Sequence, residues 1–208
     1  MVENVGRRLV IAGAAGLLLI TAACARTAGL GADPAAETPF VSTEVPTEIP
    51  EPTPASQTTL HLWAQEAEAS SEFASPEWGA EKAVGDPDAP GCGDYPYAWA
   101  SAASDSVETL TLHYSLAVVP IEILVVESFN PDQVVRVEVY NPETEAFVTV
   151  LEKEPEQVDR PCPYQLRVPV EGIDFPTDRV RITVDQSQLG LGWNEIDAVE
   201  LIGRPPEE

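Results

Sequence analysis

The sequence predicts an all-β domain, a two-sheet β-sandwich or jelly roll, that follows an N-terminal leader and a linker. Three observations support this prediction. Short runs of β-branched and aromatic residues recur from Leu60 onward, several of these runs alternate apolar with polar residues, and Asn-Pro or Gly turns separate them. Strands of this length and spacing are typical of sandwiches and jelly rolls.

Alternation defines the clearest strand. Residues 109–116, TLTLHYSL, place Leu110, Leu112, Tyr114 and Leu116 on one face. The other predicted strands are residues 118–126, 134–140, 147–151, 164–170, 179–184 and 198–202. Only residues 76–84, PEWGAEKAV, are predicted to be helical, and that segment is short.

The first 23 residues have the pattern of a targeting segment. Arg7 and Arg8 form a positive start, and an apolar run interrupted by Thr21 follows. A run of about 15 residues is short for a membrane-spanning helix but normal for a signal peptide. Two small residues then precede Cys24.

This arrangement resembles a bacterial lipoprotein signal. The resemblance implies that residues 1–23 are removed and that Cys24 is diacylated, which anchors the exported chain to the cell envelope on the extracytoplasmic face. Thr21 departs from the motif, which usually has Leu there. A secretory peptide cut nearby and an uncleaved membrane anchor are the alternatives.

Composition divides the rest of the chain. Residues 24–58 are rich in Pro, Thr, Ser and Glu and poor in large apolar residues, which predicts a disordered tether. Residues 59–204 form the predicted jelly-roll domain, and residues 205–208 are a tail.

The chain is strongly acidic. It has 35 Asp and Glu against 11 Lys and Arg, a formal net charge of -24. Such a surface repels nucleic acid and anionic lipid headgroups, so we expect no nucleic-acid partner. Solubility alone is the simpler explanation of this acidity, and affinity for divalent cations is the alternative.

Three cysteines fit an exported protein. Once Cys24 is acylated, Cys92 and Cys162 remain as an even pair in an oxidising compartment. Both lie in Pro- and Gly-containing segments, PGCGDYP and RPCPY, and two thiols alone are a poor zinc site. We therefore expect a disulfide between them.

Four segments carry a further resemblance: ASSEF (residues 69–73), WGAEKAVGDPD (78–88), AWAS (98–101) and WNEIDAVELIG (193–203). Their order resembles the galactose-binding-like jelly-roll superfamily, which includes discoidin domains and many carbohydrate-binding modules, and in particular the scarf-like domain of pappalysins. The resemblance covers residues 60–203. It implies paired terminal strands, ligand binding at loops on one end, and cysteines in the two loops named above.

Aromatic residues are the candidate ligand contacts. Trp78, Trp99 and Trp193 occupy positions of the family pattern, where packing in the core or in loops is the alternative role. Tyr95 and Tyr97 flank Pro96 beside Cys92 and are the better candidates for an exposed sugar-stacking surface. We therefore predict ligand contacts from Tyr95, Tyr97 and Trp193.

The resemblance also implies a structural calcium, although we expect no required cofactor. Calcium binds six to eight oxygens from carboxylates and loop carbonyls. Asp86 and Asp88 lie in the matching loop, and Ser101 and Glu200 are the other candidate ligands. Gly85 stands where discoidin-type modules often have Asp. A solvated turn in which Asp bonds its own backbone is the alternative.

No catalytic motif is visible. The two histidines, His61 and His113, lie near no GxSxG, HExxH or CxxC pattern. The leading hypothesis is a non-catalytic surface module that recognises a glycan or a protein through the jelly-roll loops. The alternatives are a structural or interaction subunit of an envelope protein complex and, last, a hydrolase.

Overall fold

The computed structural model describes residues 58–207. The predicted signal peptide, Cys24 and the tether as far as residue 57 lie outside the described residues. Within residues 58–207, no helix combines the length and the apolar character needed to cross a membrane.

The described part is built from eight strands and one short 3₁₀ helix, Ala80–Ala83. The strands are β1 (Leu60–Trp63), β2 (Glu66–Ala69), β3 (Val107–Phe129), β4 (Val134–Asn141), β5 (Ala146–Glu152), β6 (Tyr164–Pro169), β7 (Thr177–Asp185) and β8 (Glu195–Arg204). All pairings are antiparallel. One sheet has the order β1-β8-β3-β6 and the other β2-β3-β7-β4-β5, so the predicted two-sheet jelly roll is confirmed.

The long strand β3 belongs to both sheets. Its first half pairs with β2 and β7, and its second half pairs with β6 and β8. The sequence predicted two separate strands, residues 109–116 and 118–126, which is wrong. A single strand continues from one sheet into the other through an irregularity between His113 and Val118. The irregularity ends the alternation, so Leu116 is 55% exposed instead of sharing the buried face with Leu112.

Two local predictions also need correction. Residues 76–84 form only the single 3₁₀ turn, since Trp78 has a left-handed backbone with φ 56° that no helix can contain. Strand β2 was not predicted, because its sequence, Glu-Ala-Glu-Ala, consists of residues that are depleted in strands. Its pairing with β3, and not its intrinsic preference, makes it a strand.

The core lies between the two sheets. Its fully buried side chains come mainly from β3, β4, β7 and β8, for example Leu110, Ile123, Ile182 and Leu201. The terminal strands β1 and β8 pair, as the family resemblance implied. Gly203 permits the close approach of β8 to β3, because a Cβ there would lie 2.5 Å from Val118 Cγ2.

Candidate binding site

Three separate segments meet at one end of the sandwich. Trp99 exchanges two backbone hydrogen bonds with Ile196 of β8, of 2.8 and 3.1 Å. The next residue, Ala100, accepts a hydrogen bond from the Phe73 N–H (2.8 Å) and donates one to the Trp78 carbonyl (3.1 Å). Phe73 and Trp78 are thereby held beside the start of β8.

Phe73, Trp78 and Trp193 form an aromatic cluster. The Phe73 ring centroid lies 5.4 Å from that of Trp78 and 5.3 Å from that of Trp193, both edge to face. This is the preferred geometry for aromatic pairs. The Trp193 Nε1–H donates to the Ser101 carbonyl (2.9 Å), which fixes its ring, whereas Phe73 is 49% exposed. The cluster therefore presents the Phe73 ring to solvent.

Two carboxyl groups, those of Asp94 and Glu195, lie against the aromatic cluster. Asp94 Oδ1 accepts the Trp78 Nε1–H at 3.0 Å, and Glu195 Oε2 accepts the Tyr95 backbone N–H at 3.1 Å. Asp94 is exposed, but Glu195 is buried, with 1% of its surface accessible. We refer to Asp94 and Glu195 as the carboxyl pair.

Burial raises the pKa of Glu195 to about 8. The Asp94 carboxylate raises it further, while the hydrogen bond from the Tyr95 N–H opposes the rise. Burial disfavours the charged form of a carboxyl group, and a neighbouring carboxylate adds repulsion. Glu195 is therefore mostly protonated at neutral pH.

A small cavity lies between the aromatic cluster and the carboxyl pair. Its volume is about 30 Å³, and its walls are Phe73, Trp78, Asp94, Ala100, Trp193 and Glu195. A single water-sized group needs at least about 10–15 Å³ on this measure. The cavity thus accepts one or two such groups, and a whole sugar ring would lie outside it, against Phe73.

The disulfide connects this site with a second loop. Cys92 and Cys162 are bonded, with 5.0 Å between their Cα atoms, so the expected bridge is present. Asp94 follows Cys92 by two residues, and the Gly93 N–H donates to the Ser128 carbonyl at 3.0 Å. The bridge therefore restrains the loop that carries Asp94.

A larger cavity, of about 430 Å³, borders the other half of the bridge. Its walls are Asn130, Pro131, Asp132, Gln157, Val158, Asp159, Arg160, Cys162 and Leu191. Asp132 forms an ion pair with Arg160 and accepts the Val158 N–H at 2.9 Å. Since the buried acid there already has a cation, and no aromatic ring lines the space, we consider the smaller cavity the better binding site.

The predicted ligand residues are only partly brought together. Trp193 belongs to the aromatic cluster. Tyr95 is half-buried, its ring packs over Gly93, and its backbone binds Glu195. Tyr97 is 47% exposed but does not line the small cavity. Trp99 is fully buried, which corresponds to the packing role.

The structure does not bring the four candidate calcium ligands together. The Asp88 backbone N–H, and not its carboxylate, contacts Asp197 Oδ1 at 3.2 Å. Ser101 Oγ accepts from Gln186 Nε2 at 2.6 Å, and Glu200 Oε1 bonds His61 Nδ1 at 2.8 Å. Asp86 is exposed. In residues 58–207, no three His, Cys, Asp or Glu residues are grouped to hold a metal, and calcium stays a prediction.

Sequence reasoning missed three residues of the site: Phe73, Asp94 and Glu195. Phe73 lies in ASSEF, Asp94 follows Cys92, and Glu195 lies in WNEIDAVELIG. These segments were selected for the family resemblance or for the cysteine. Their separation along the chain hid their proximity. An aromatic residue and an acid in two family-like segments, together with an acid beside Cys92, would have been the available signal.

Solved structures with this architecture define its class. A chitosan-binding module from a Paenibacillus sp. IK-5 chitosanase/glucanase has a TM-score of 0.52 at 13% identity, covering 66% of this chain and 93% of that one. A Clostridium perfringens CBM32 module, in complex with GlcNAc-α-1,4-galactose, has a TM-score of 0.51 at 12% identity, covering 66% and 89%. Reduced XRCC1, bound to the DNA polymerase β catalytic domain, has a TM-score of 0.53 at 12% identity, covering 70% and 100%. At these identities the likeness shows the fold alone, a two-sheet jelly roll.

The family follows from the sequence itself. Residues 53–208 match the family described as Pappalysin-1, SD scarf domain, C-terminal. The match spans the whole described domain, so this chain belongs to that family. No curated protein matches the chain.

Proposed function

We propose that the domain is a non-catalytic module that binds a glycan at the aromatic cluster. The observation that carries this proposal is the half-exposed Phe73 ring, held edge-on by Trp78 and Trp193 at the mouth of a cavity. Pockets with aromatic walls and a few convergent polar groups are the usual form of small-ligand sites. Two of the similar folds bear names that refer to carbohydrate binding, which supports this assignment by analogy.

Substitution of Phe73 tests the site. Since Phe73 is half-exposed, Phe73→Ala should cost about 1 kcal/mol of stability or less but weaken binding by about tenfold or more. Leu116→Ala is the matched control, because Leu116 is equally exposed and lies in the irregular part of β3, outside the cavity walls.

Binding is measured by calorimetry with oligosaccharides that are first selected on a glycan array. Saturable binding that Phe73→Ala weakens and Leu116→Ala preserves would support the proposal. Absence of binding to any glycan, or equal binding by Phe73→Ala and Leu116→Ala, would contradict the proposal. Crosslinking of the chain to one dominant envelope protein would then favour the interaction-subunit alternative.

We also propose that the chain presents this module outside the cytoplasm on a lipid anchor. The support is the positively charged, apolar leader that ends at Cys24 and the Pro-rich segment after it. The disulfide is consistent with this location, since such bridges persist in oxidising compartments.

Replacement of Cys24 tests the anchor. Wild-type protein should incorporate a labelled fatty acid and sediment with membranes, whereas Cys24→Ala should be unlabelled and either released or unprocessed. Ser42→Ala, in the tether, should behave as wild type. Wild-type protein that carries no fatty acid would contradict the anchor and leave the glycan site unaffected.

A further inference from the structure

Within residues 58–207, the carboxyl pair has no cation of its own. None of the ion pairs formed within residues 58–207 includes Asp94 or Glu195. Among the described residues, Asp94 accepts a hydrogen bond from the neutral Trp78 N–H, and Glu195 accepts one from the neutral Tyr95 N–H. Two neighbouring carboxyl groups, one of them buried, are unfavourable unless a proton or an external cation compensates for their charge.

The surroundings of the pair favour a small cation. Aromatic walls lower the local polarity, and this strengthens the attraction between a cation and a carboxylate. Aromatic faces also attract cations directly. The cavity of about 30 Å³ is large enough for an ammonium group and too small for a sugar ring.

Hydrogen bonding selects among ammonium groups. A primary ammonium has three N–H donors and no acceptor, which matches the acceptor oxygens of Asp94 and Glu195. A quaternary ammonium has no donor, and an N-acetyl group has no charge. The net charge of -24 further attracts a ligand that carries many positive charges.

We propose that the cavity binds the primary ammonium group of an amino sugar, so that the ligand is a cationic glycan with unacetylated amino groups. This proposal rests on the proposed glycan-binding function and specifies its ligand class. The carboxyl pair receives the ammonium, and Phe73 lies against the sugar ring that carries it.

The test compares oligomers of glucosamine with fully N-acetylated oligomers of the same length, in calorimetric titrations of the disulfide-bonded domain. We expect glucosamine oligomers to bind at least about tenfold more tightly, with an affinity that falls as salt rises. Asp94→Asn and Glu195→Gln should each remove most of this preference, because each amide still accepts its N–H but carries no charge. Glu143→Gln, an exposed acid in the β4–β5 turn, is the control and should preserve it.

Proton release gives a second readout that a merely structural role would not produce. Glu195 faces Asp94 and is protonated in the free domain, so an incoming ammonium should displace its proton at about pH 6.5. Titration in buffers with different ionisation enthalpies measures that release. Glu195→Gln should abolish it, and Glu143→Gln should not.

The outcomes separate the proposed ammonium site from the proposed glycan-binding function. Equal affinity for acetylated and free oligomers, with binding still dependent on Phe73, would overturn the ammonium assignment and preserve glycan binding. Absence of binding to any glycan would overturn both. Oligolysine that binds as tightly as glucosamine oligomers would overturn the amino-sugar class and assign the cavity to a basic peptide.

Discussion

Asp132 and Glu195 are two buried acids near opposite halves of the Cys92–Cys162 bridge, and in the described part of the chain only Asp132 forms an ion pair. Asp132 is 2% exposed and pairs with Arg160, which also lies over the Tyr164 ring at 4.7 Å. Glu195 is 1% exposed and faces Asp94 and aromatic rings instead. Removal of one partner of a buried ion pair destabilises a fold, whereas a buried acid without a cation is a candidate functional group.

Removal of the bridge should have the largest effect, because it releases both loops. The bridge spans 70 residues, and the chain-entropy model assigns a loop of this length about 4 kcal/mol. Cys92→Ser combined with Cys162→Ser should therefore lower the melting temperature by roughly 10 °C or more. Thermal unfolding by circular dichroism measures this, and glycan affinity should fall as well. A melting temperature equal to that of wild type would show that other contacts hold these loops.

Asp132→Ala should rank second. It leaves the Arg160 guanidinium and the Val158 N–H without their acceptor, and loss of one partner of a buried pair costs about 3 kcal/mol. Urea unfolding measures the loss. Asp132→Asn should cost less, since it retains an acceptor and tolerates the backbone φ of 89° better than Ala. An equal loss in both variants would mean that charge, and not hydrogen bonding, dominates.

Glu195→Gln should have the opposite sign and a smaller size. An unfolded glutamate titrates near 4.5, so between that pH and about 8 the folded domain retains a proton that the unfolded chain has lost. The stabilisation that the Glu195 carboxyl group gives to the wild-type fold is fully present below about pH 4.5 and is lost as the pH rises through 8. Gln does not titrate, so the variant should match wild type near pH 4 and become more stable than wild type as the pH rises through about 8.

Melting curves of both proteins from pH 4 to pH 9 check this prediction. Asp105→Asn, which changes an exposed acid, is the control and should show no such pH-dependent difference. A Glu195→Gln variant that is less stable than wild type throughout this range would show that the Glu195 carboxylate stabilises the fold, as Asp132 does. The distinction between the two acids would then be lost.

The sequence predicted a strand well where its own residue pattern already favours the extended conformation that pairing with its neighbours requires. Alternating β-branched residues in β4 and β7 specify both an extended chain and a buried face. Strand β2 and the irregular part of β3 were missed because their conformation comes from pairing with distant strands. Among the site residues, Trp193 was predicted from a family-like segment, but Phe73, Asp94 and Glu195 were not.

The sequence by itself determined the all-β class and the pairing of Cys92 with Cys162, because short-range patterns and the number of cysteines express them directly. Only the tertiary structure decided that Phe73, Asp94 and Glu195 surround one cavity. These residues come from three segments that meet through the Trp99–Ile196 pairing. The burial that raises the pKa of Glu195 exists only after that assembly, since a side chain loses its water only when distant segments pack around it.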